Sequence, residues 1–283
     1  MSQLTCKNCG NEFEGKFCNN CGQKASADRL TYKSLVETLM HGFLHVDKGF
    51  FYTIKMLFIN PGELVVNYIN CKRVKYFQPF PLLIILSAIY GLLHHWLTPE
   101  VVETVKAGAK HSDGIFRIVL GNGAPIQLNK TFINMLEYII NHLSENYAFM
   151  NIFIIPPFIL ATKIAFRKAG AYNYNFVEYL FGGAYLSSLY IVISILFMPF
   201  ELLLKGSSYL SGWENITWIV YFLVTLYFFY HLFEGGIRKT IKRTVYTYVL
   251  YFPFLLIYVI LGVLIAALIA FAGQGLGRLT GLC

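Results

Sequence analysis

Five long apolar runs occupy most of the chain after residue 78, and they restrict the possible folds severely. A transmembrane helix needs about 20 predominantly apolar residues to cross about 30 Å of hydrocarbon. The chain is 56% hydrophobic and only 13% charged, so a water-soluble fold would leave large apolar patches exposed. We therefore predict an all-α polytopic membrane protein with about five transmembrane helices. The predicted spans lie near residues 79–97, 149–166, 176–204, 213–233 and 248–272.

The rest of the chain is more polar and divides into segments around the spans. Residues 1–28 form a cysteine-rich head and residues 29–78 a mixed segment that precedes the transmembrane domain (79–273). The helices predicted in 29–78 are too short and too charged to span, so they either lie in the membrane interface or form a small soluble subdomain. The spacing of Ser34 and Glu37 predicts a capping box at the start of the first of them. Residues 98–148 are predicted to form an extracytoplasmic loop with helices of its own, and 274–283 a tail.

The head contains two copies of a CxxCG motif, Cys6-Lys-Asn-Cys9-Gly10 and Cys18-Asn-Asn-Cys21-Gly22. Two intervening residues let both thiolates of a pair reach one ion, and the glycine permits a left-handed backbone that closes the turn. Four thiolates complete the tetrahedral shell that is typical of structural Zn²⁺. We therefore predict a zinc ribbon with Cys6, Cys9, Cys18 and Cys21 as ligands, with iron as the chemical alternative. The alternating residues between the motifs predict a short β-hairpin there.

The sequence contains no pattern that indicates catalysis. A closed four-cysteine shell has no open position for water, and no Ser-His-Asp set, HExxH motif, P-loop or dinucleotide fingerprint is present. We therefore predict that the chain is not an enzyme. The head also has no basic stripe, so we predict no nucleic-acid binding. A protein partner of unknown identity, or the protein's own cytoplasmic face, is the expected contact of the head.

The distribution of the 23 Lys and Arg residues predicts the orientation. If the chain crosses the membrane five times, most of these basic residues lie on the same side as the head. The positive-inside rule makes that side cytoplasmic. The N-terminus is then cytoplasmic and the C-terminus extracytoplasmic, in a bacterial inner membrane. Lys72, Arg73 and Lys75 lie just before the first span, where they either bind anionic lipid headgroups or form a solvated flank.

Two residues near the end of the fourth span suggest an alternative function. His231 and Glu234 are three residues apart and can share a helix face. Ionisable residues near membrane depth are candidates for a transport path, although a capping or interfacial role also explains them. The leading hypothesis is an integral membrane protein whose head serves protein interaction, assembly or regulation. The alternative is a transporter or channel with a path through the helical bundle.

Several motifs in roughly residues 1–90 occur together in a recognisable order. They are Cys6-Lys-Asn-Cys9-Gly10, Phe17-Cys18-Asn-Asn-Cys21-Gly22-Gln23, Pro61-Gly62 and Lys72-Arg73-Val74-Lys75-Tyr76. In these the chain resembles an uncharacterised, Bacteroidetes-type bacterial family of membrane proteins, a domain of unknown function with an N-terminal CxNCG…FCxxCGQ zinc ribbon. The resemblance implies a bacterial inner membrane and zinc binding, and it implies no activity. The family tends to have Gly before the Lys-Arg pair, where this chain has Cys71.

Overall fold

The computed structural model describes residues 3–41, 49–97, 147–167, 174–205, 207, 209–233 and 235–280. Within these ranges the protein is helical apart from one two-stranded antiparallel sheet in the head, which confirms the predicted fold class. The elements in chain order are β1 Leu4–Thr5, β2 Glu12–Phe13, α1 Tyr32–His41, α2 Gly49–Ile59, α3 Pro61–Ile69, α4 Pro79–Leu97, α5 Tyr147–Ala165, α6 Phe176–Leu204, α7 Leu210–Leu232 and α8 Ile237–Thr280.

Four helices of the described ranges are long and apolar enough to cross a membrane. They include α4 and α6, whose bounds are those predicted for the first and third spans. The other two are Asn215–Leu232 in α7 and Ile237–Gly262 in α8. The predicted second span corresponds to α5, which continues through Pro156 and Pro157 and has a shorter apolar part, Ile152–Ala165. The number of helices is therefore consistent with about five spans. The predicted loop 98–148 lies almost wholly outside the described residues.

Helix α8 is longer than the span predicted within it. It begins at Ile237 and continues for 44 residues, so part of the predicted inner loop and most of the predicted tail are helical. The stretch before residue 248 contains Arg238, Lys239, Lys242 and Arg243 and has no Pro or Gly. Straight-chain basic residues lose little rotamer freedom in a helix, so the helix begins well before the apolar run.

The caps of the short helices differ partly from the sequence prediction. Helix α1 begins at Tyr32, and the cap is formed by Thr31, whose hydroxyl accepts from the amide of Ser34 at 3.4 Å. The amide of Thr31 donates to the hydroxyl of Ser34 at 2.8 Å. Ser34 is therefore the third residue of the helix and not its N-cap. Its hydroxyl takes the position that the Glu side chain has in a capping box.

The core lies where α3, α4, α5 and α6 pack together. Tyr185 is completely buried, and its hydroxyl donates to the carbonyl of Phe77 at 2.7 Å, two residues before α4. Tyr185 lies in the third turn of α6, whereas its partner Phe77 lies just before the start of α4. The first two turns of α6 therefore extend beyond the start of α4, on the side of the head. A 29-residue helix is about 44 Å long, so this extension accounts for its length in excess of the hydrocarbon thickness.

Hydroxyl groups connect α6, α7 and α8 farther along the spans. Ser194 and Tyr221 share a hydrogen bond of 2.6 Å, and Thr225 and Tyr248 share one of 2.8 Å. Thr225 also contacts the hydroxyl of Tyr190. Interhelical hydrogen bonds of this kind hold transmembrane helices together where lipid supplies no hydrophobic driving force.

Candidate metal centre

The four cysteines of the two CxxCG motifs converge in the head. The Sγ atoms of Cys6, Cys9, Cys18 and Cys21 all lie within 4.8 Å of one another. The Sγ···Sγ distance is 3.5 Å between Cys6 and Cys21 and 3.7 Å between Cys9 and Cys18. A tetrahedral shell with metal–sulfur bonds of about 2.3 Å separates its sulfurs by about 3.8 Å. The arrangement of four free thiols therefore fits a single metal ion.

The two motifs have the same backbone geometry. The amide of Gly10 donates to the carbonyl of Cys6, and the amide of Gly22 to that of Cys18, each at 2.8 Å. Both glycines have a φ of +76°, a left-handed conformation that carries little steric cost only for Gly. The glycine after each second cysteine is therefore required by the turn that presents the thiols, as the sequence predicts.

The strands of the head do not form the predicted hairpin. Strand β1 pairs with β2 across the first motif, with Leu4 opposite Phe13. Phe17 pairs with Lys24 across the second motif. The residues between the motifs therefore pair with residues outside this stretch, Phe13 with Leu4 and Phe17 with Lys24. They do not pair with one another. The reason is that each CxxCG turn reverses the chain, so the residues flanking a turn meet.

The thiols have unequal proton affinities in the absence of a metal. Burial acts to raise the pKa of Cys18, but backbone hydrogen bonds from Cys21 and Asn20 and contacts with Cys9 and Cys6 outweigh it and lower the pKa to about 6. Burial raises the pKa of Cys21 to about 11. A metal ion binds thiolates, so its binding to this cluster would release protons that the cluster still holds at neutral pH.

An ion pair attaches the end of the head to α6. Glu178, in the first turn of α6, has a side chain that is only 1% exposed. Its Oε1 accepts from Nε of Arg29 at 2.6 Å and its Oε2 from Nη2 of Arg29 at 2.8 Å. Next to this pair, Nδ2 of Asn175 donates to the carbonyl of Leu30 at 2.9 Å, and the Leu30 side chain is buried in the core. The chain that leaves the head is therefore held against the start of α6.

Arg73 forms a second contact between the head and the membrane domain. Its Nη2 donates to the carbonyl of Asp28 at 2.7 Å and its Nε to the carbonyl of Tyr68 at 3.0 Å. The backbone amide of Arg73 donates to Oε1 of Gln23 at 3.3 Å. Arg73 is thus engaged within the protein, whereas its neighbours Lys72 and Lys75 are exposed.

The residue before the Lys72-Arg73 pair has an unusual backbone conformation. Cys71 is the non-glycine residue with a positive φ, +66°, in the described ranges. Its side chain is buried and lies apart from the four-cysteine cluster. A position of this conformation favours glycine, which is the residue that the resemblance leads us to expect there.

Of the two candidates for a transport path, His231 lies in the described residues and does not line a cavity there. His231 is exposed, and its ring packs against that of Tyr227 at a centroid distance of 4.5 Å. Glu234 lies outside the described residues. A cavity of about 20 Å³, room for about one water molecule, lies between α3, α5, α6 and α7, and His231 does not line it. The position of His231 therefore gives the transport alternative no support.

The contact at Glu178 is the feature that sequence reasoning missed. Asn175 and Glu178 form a capping box, in which Oδ1 of Asn175 accepts from the amide of Glu178 at 2.9 Å. The amide of Asn175 donates to Oε2 of Glu178 at 2.7 Å. The Asn-x-x-Glu spacing before a long apolar run predicts such a cap, but nothing local indicates that the same carboxylate binds Arg29.

Comparison with protein families gives a match near the start of the membrane domain. A family model described as a protein of unknown function, DUF3667, matches residues 47–91. This range includes α2, α3 and most of α4 but not the four cysteines, so the similarity concerns the segment that leads into the first span. No curated protein and no solved structure matches the chain.

Proposed function

We propose that the chain is a non-catalytic protein of a bacterial inner membrane, whose cytoplasmic head holds a structural Zn²⁺ and serves protein interaction, assembly or regulation. The observation that carries the proposal is the convergence of four thiols in a head that is followed directly by a segment held against the start of α6. That segment contains Arg29, which pairs with Glu178, and Leu30, whose side chain is buried in the core.

The donor set supports zinc in a structural role. Four cysteine thiolates at tetrahedral spacing are typical of zinc sites without an open position. Cys6 and Cys18 are 5% and 2% exposed, so two of the four sulfurs are shielded from water. A head of this size cannot make a sufficient hydrophobic core on its own, and a bound metal would supply much of its folding free energy.

The position of basic residues supports a cytoplasmic head. The guanidinium of Arg243, near the start of α8, lies 5.9 Å from the ring of Phe166, which follows α5. The ammonium of Lys163 lies 5.8 Å from the ring of Phe176 at the start of α6. These contacts bring basic loops to the end of the bundle where Arg29 meets Glu178, which is the pattern expected of an inner face.

The exposed surface of the head supports an interaction role. Phe17 is 54% exposed and Leu4 is 40% exposed. Exposed apolar side chains on a small metal-stabilised unit are common at protein contacts. The end of the head at Asp28 and the adjoining Arg29 are already held by Arg73 and Glu178, so a partner would bind another part of the head.

Metal content and topology can be measured on the full chain in mild detergent. We expect one zinc per chain for the wild type and less than one tenth of that for Cys18→Ser. Cys71→Ala is the matched control, because it also removes a buried thiol but leaves the cluster intact, and it should keep its zinc. Alkaline phosphatase fused to the C-terminus should be active, since we place that end outside. Stoichiometric iron, or zinc lost equally in both variants, would contradict the assignment.

The interaction role requires a separate experiment in native membranes. Crosslinking followed by affinity purification should recover the same protein with the wild type and with Cys71→Ala, and fail to recover it with Cys18→Ser at equal membrane abundance. If all three chains recover the same set of proteins, the head is not the binding element. In that case its role is confined to the stability of the membrane domain.

A further inference from the structure

Helix α2 lies across the ends of two spans on the side of the head. At its first residue, Gly49 packs so closely on the loop before α4 that an added Cβ would lie 2.9 Å from the carbonyl oxygen of Lys75. One turn later, Oγ1 of Thr53 accepts from the amide of Phe77 at 2.7 Å. The start of α2 is therefore at the level where α4 begins.

The other end of α2 is attached to α7. The hydroxyl of Tyr227 donates to the carbonyls of Phe58 and Ile59 at 3.0 and 2.8 Å. Tyr227 lies within two turns of Leu232, the last residue of α7. With both ends held near the ends of spans, an 11-residue helix about 16 Å long must run along the membrane surface and not through it.

The face that α2 turns away from the protein is apolar and aromatic. Thr53 and Leu57 are completely buried against the core. On the outer side, Phe51 is 79% exposed and Phe58 is 42% exposed. Lys55 is also exposed and lies between them at helical spacing. An amphipathic helix in the interface has this composition, with its aromatic rings at headgroup depth.

Exposed lysines adjoin this aromatic face. The ring of Tyr52 lies 5.8 Å from the ring of Tyr76, which places the loop of Lys72 and Lys75 next to α2. Within the described ranges, Lys55, Lys72 and Lys75 form no ion pair. Among the described residues, Glu63 is near this loop, where it is exposed and accepts hydrogen bonds from Asn60 and Asn67. Asp28 contacts Arg73 of the loop through its backbone, but its carboxylate pairs with Lys7 at 2.8 Å. The described part of the surface therefore has more positive than negative side chains.

We propose that this surface, formed by Phe51, Phe58, Lys55, Lys72 and Lys75, binds the headgroup of an anionic phospholipid of the surrounding bilayer. The ammonium groups would contact the phosphate, and the two phenyl rings would pack against the glycerol and upper acyl region. None of these five residues is a predicted metal ligand, so lipid binding can be measured separately from the metal content of the head. It also assigns Lys72 and Lys75 a ligand that Arg73, occupied by the carbonyls of Asp28 and Tyr68, does not share.

The test is native mass spectrometry of the full chain in detergent, titrated with phosphatidylglycerol or with phosphatidylcholine of the same acyl chains. We expect the wild type to bind phosphatidylglycerol in preference. Each lysine near an anionic surface contributes about fivefold in affinity, so Lys72→Gln with Lys75→Gln should weaken phosphatidylglycerol binding on the order of twentyfold. Binding of phosphatidylcholine should not change, and 0.5 M salt should reduce the preference of the wild type.

The matched control removes the same charge from the head through Lys16→Gln with Lys24→Gln, both of which are exposed. It should bind phosphatidylglycerol like the wild type. The proposal is overturned if the control loses as much affinity as the loop variant, because the effect would then be one of net charge. It is also overturned if the loop variant keeps its preference, or if the wild type shows none. The thermal midpoints of both variants should match that of the wild type, since all four lysines are on the surface.

Discussion

Replacing Glu178 by Gln tests how the head is held on the membrane domain. Three N–H groups point at the Glu178 carboxylate, two from Arg29 and one from the backbone of Asn175, at 2.6 to 2.8 Å. A carboxylate accepts all three. A glutamine amide has one acceptor oxygen and an NH₂ group that only donates. Whichever way the amide is turned, a donor faces a donor.

The buried position of Glu178 sets the size of the effect. A hydrogen bond to a charged group contributes about 1.5–3 kcal/mol. The side chain at position 178 is only 1% exposed, so water cannot replace a hydrogen-bond partner that is lost in the variant. The Arg29 side chain is 60% exposed, so its guanidinium can turn towards solvent and recover part of the loss. We therefore expect Glu178→Gln to weaken the attachment of the head by about 2 kcal/mol, or about 30-fold in the equilibrium between attached and detached states.

Hydrogen–deuterium exchange of the full chain in detergent measures this equilibrium locally. Amides in residues 24–35 should exchange up to about 30-fold faster in Glu178→Gln, because detachment opens that segment. Amides of the cysteine motifs should keep their protection if the metal is bound. The matched control is Glu63→Gln, since Glu63 is also the third residue of a helix capped by Asn, with Asn60 in the cap. It is exposed and contacts no part of the head, so exchange in 24–35 should not change.

The reasoning would be refuted by a specific outcome of this experiment. If residues 24–35 exchanged at the wild-type rate in Glu178→Gln while only the first turn of α6 became faster, the carboxylate would serve as a helix cap alone. If Glu63→Gln produced the same acceleration as Glu178→Gln, the effect would be a general loss of stability and not the loss of the Arg29 contact.

Three further predictions concern backbone geometry and can be measured as thermal midpoints in detergent. Gly62→Ala should destabilise the protein by about 3 kcal/mol or more, because the added Cβ would lie 1.9 Å from the carbonyl oxygen of His231. Gly182→Ala should be neutral or slightly stabilising, since its Cβ would be 3.6 Å from Val65, an ordinary contact. Cys71→Gly should be more stable than Cys71→Ala by about 1 kcal/mol, because both remove the thiol and only alanine keeps the strain of a positive φ.

The spans and the four-cysteine cluster could be predicted because their determinants are local. The bounds of α4 and α6 follow from uninterrupted apolar runs, because a run of this length satisfies all its backbone hydrogen bonds within itself as a helix. The convergence of Cys6 with Cys9, and of Cys18 with Cys21, follows from a spacing of three residues. Gly10 and Gly22 indicate the turns directly, since a φ of +76° strongly favours glycine there.

The predictions from the sequence are wrong where the structure depends on which residues contact one another. The predicted hairpin between the two motifs is wrong because alternation indicates a strand but not its partner, and the partners of Phe13 and Phe17 are Leu4 and Lys24. The Ser34–Glu37 spacing matches the capping-box motif more closely than the Thr31–Ser34 spacing does. It therefore predicts the cap of α1 at Ser34, three residues after the cap in the structure. Competing local patterns of similar strength cannot be ranked without the packing around them.

The sequence by itself determined that the chain is helical with apolar spans and has four cysteines near its N-terminus that could hold one metal ion, because hydropathy and short spacings act within a few residues. Only the tertiary structure decided what the head is attached to. Arg29 and Glu178 are 149 residues apart, and each alone is an ordinary charged residue near a helix end. Their pairing depends on α6 extending two turns beyond the start of α4, and that offset is a result of how whole helices pack.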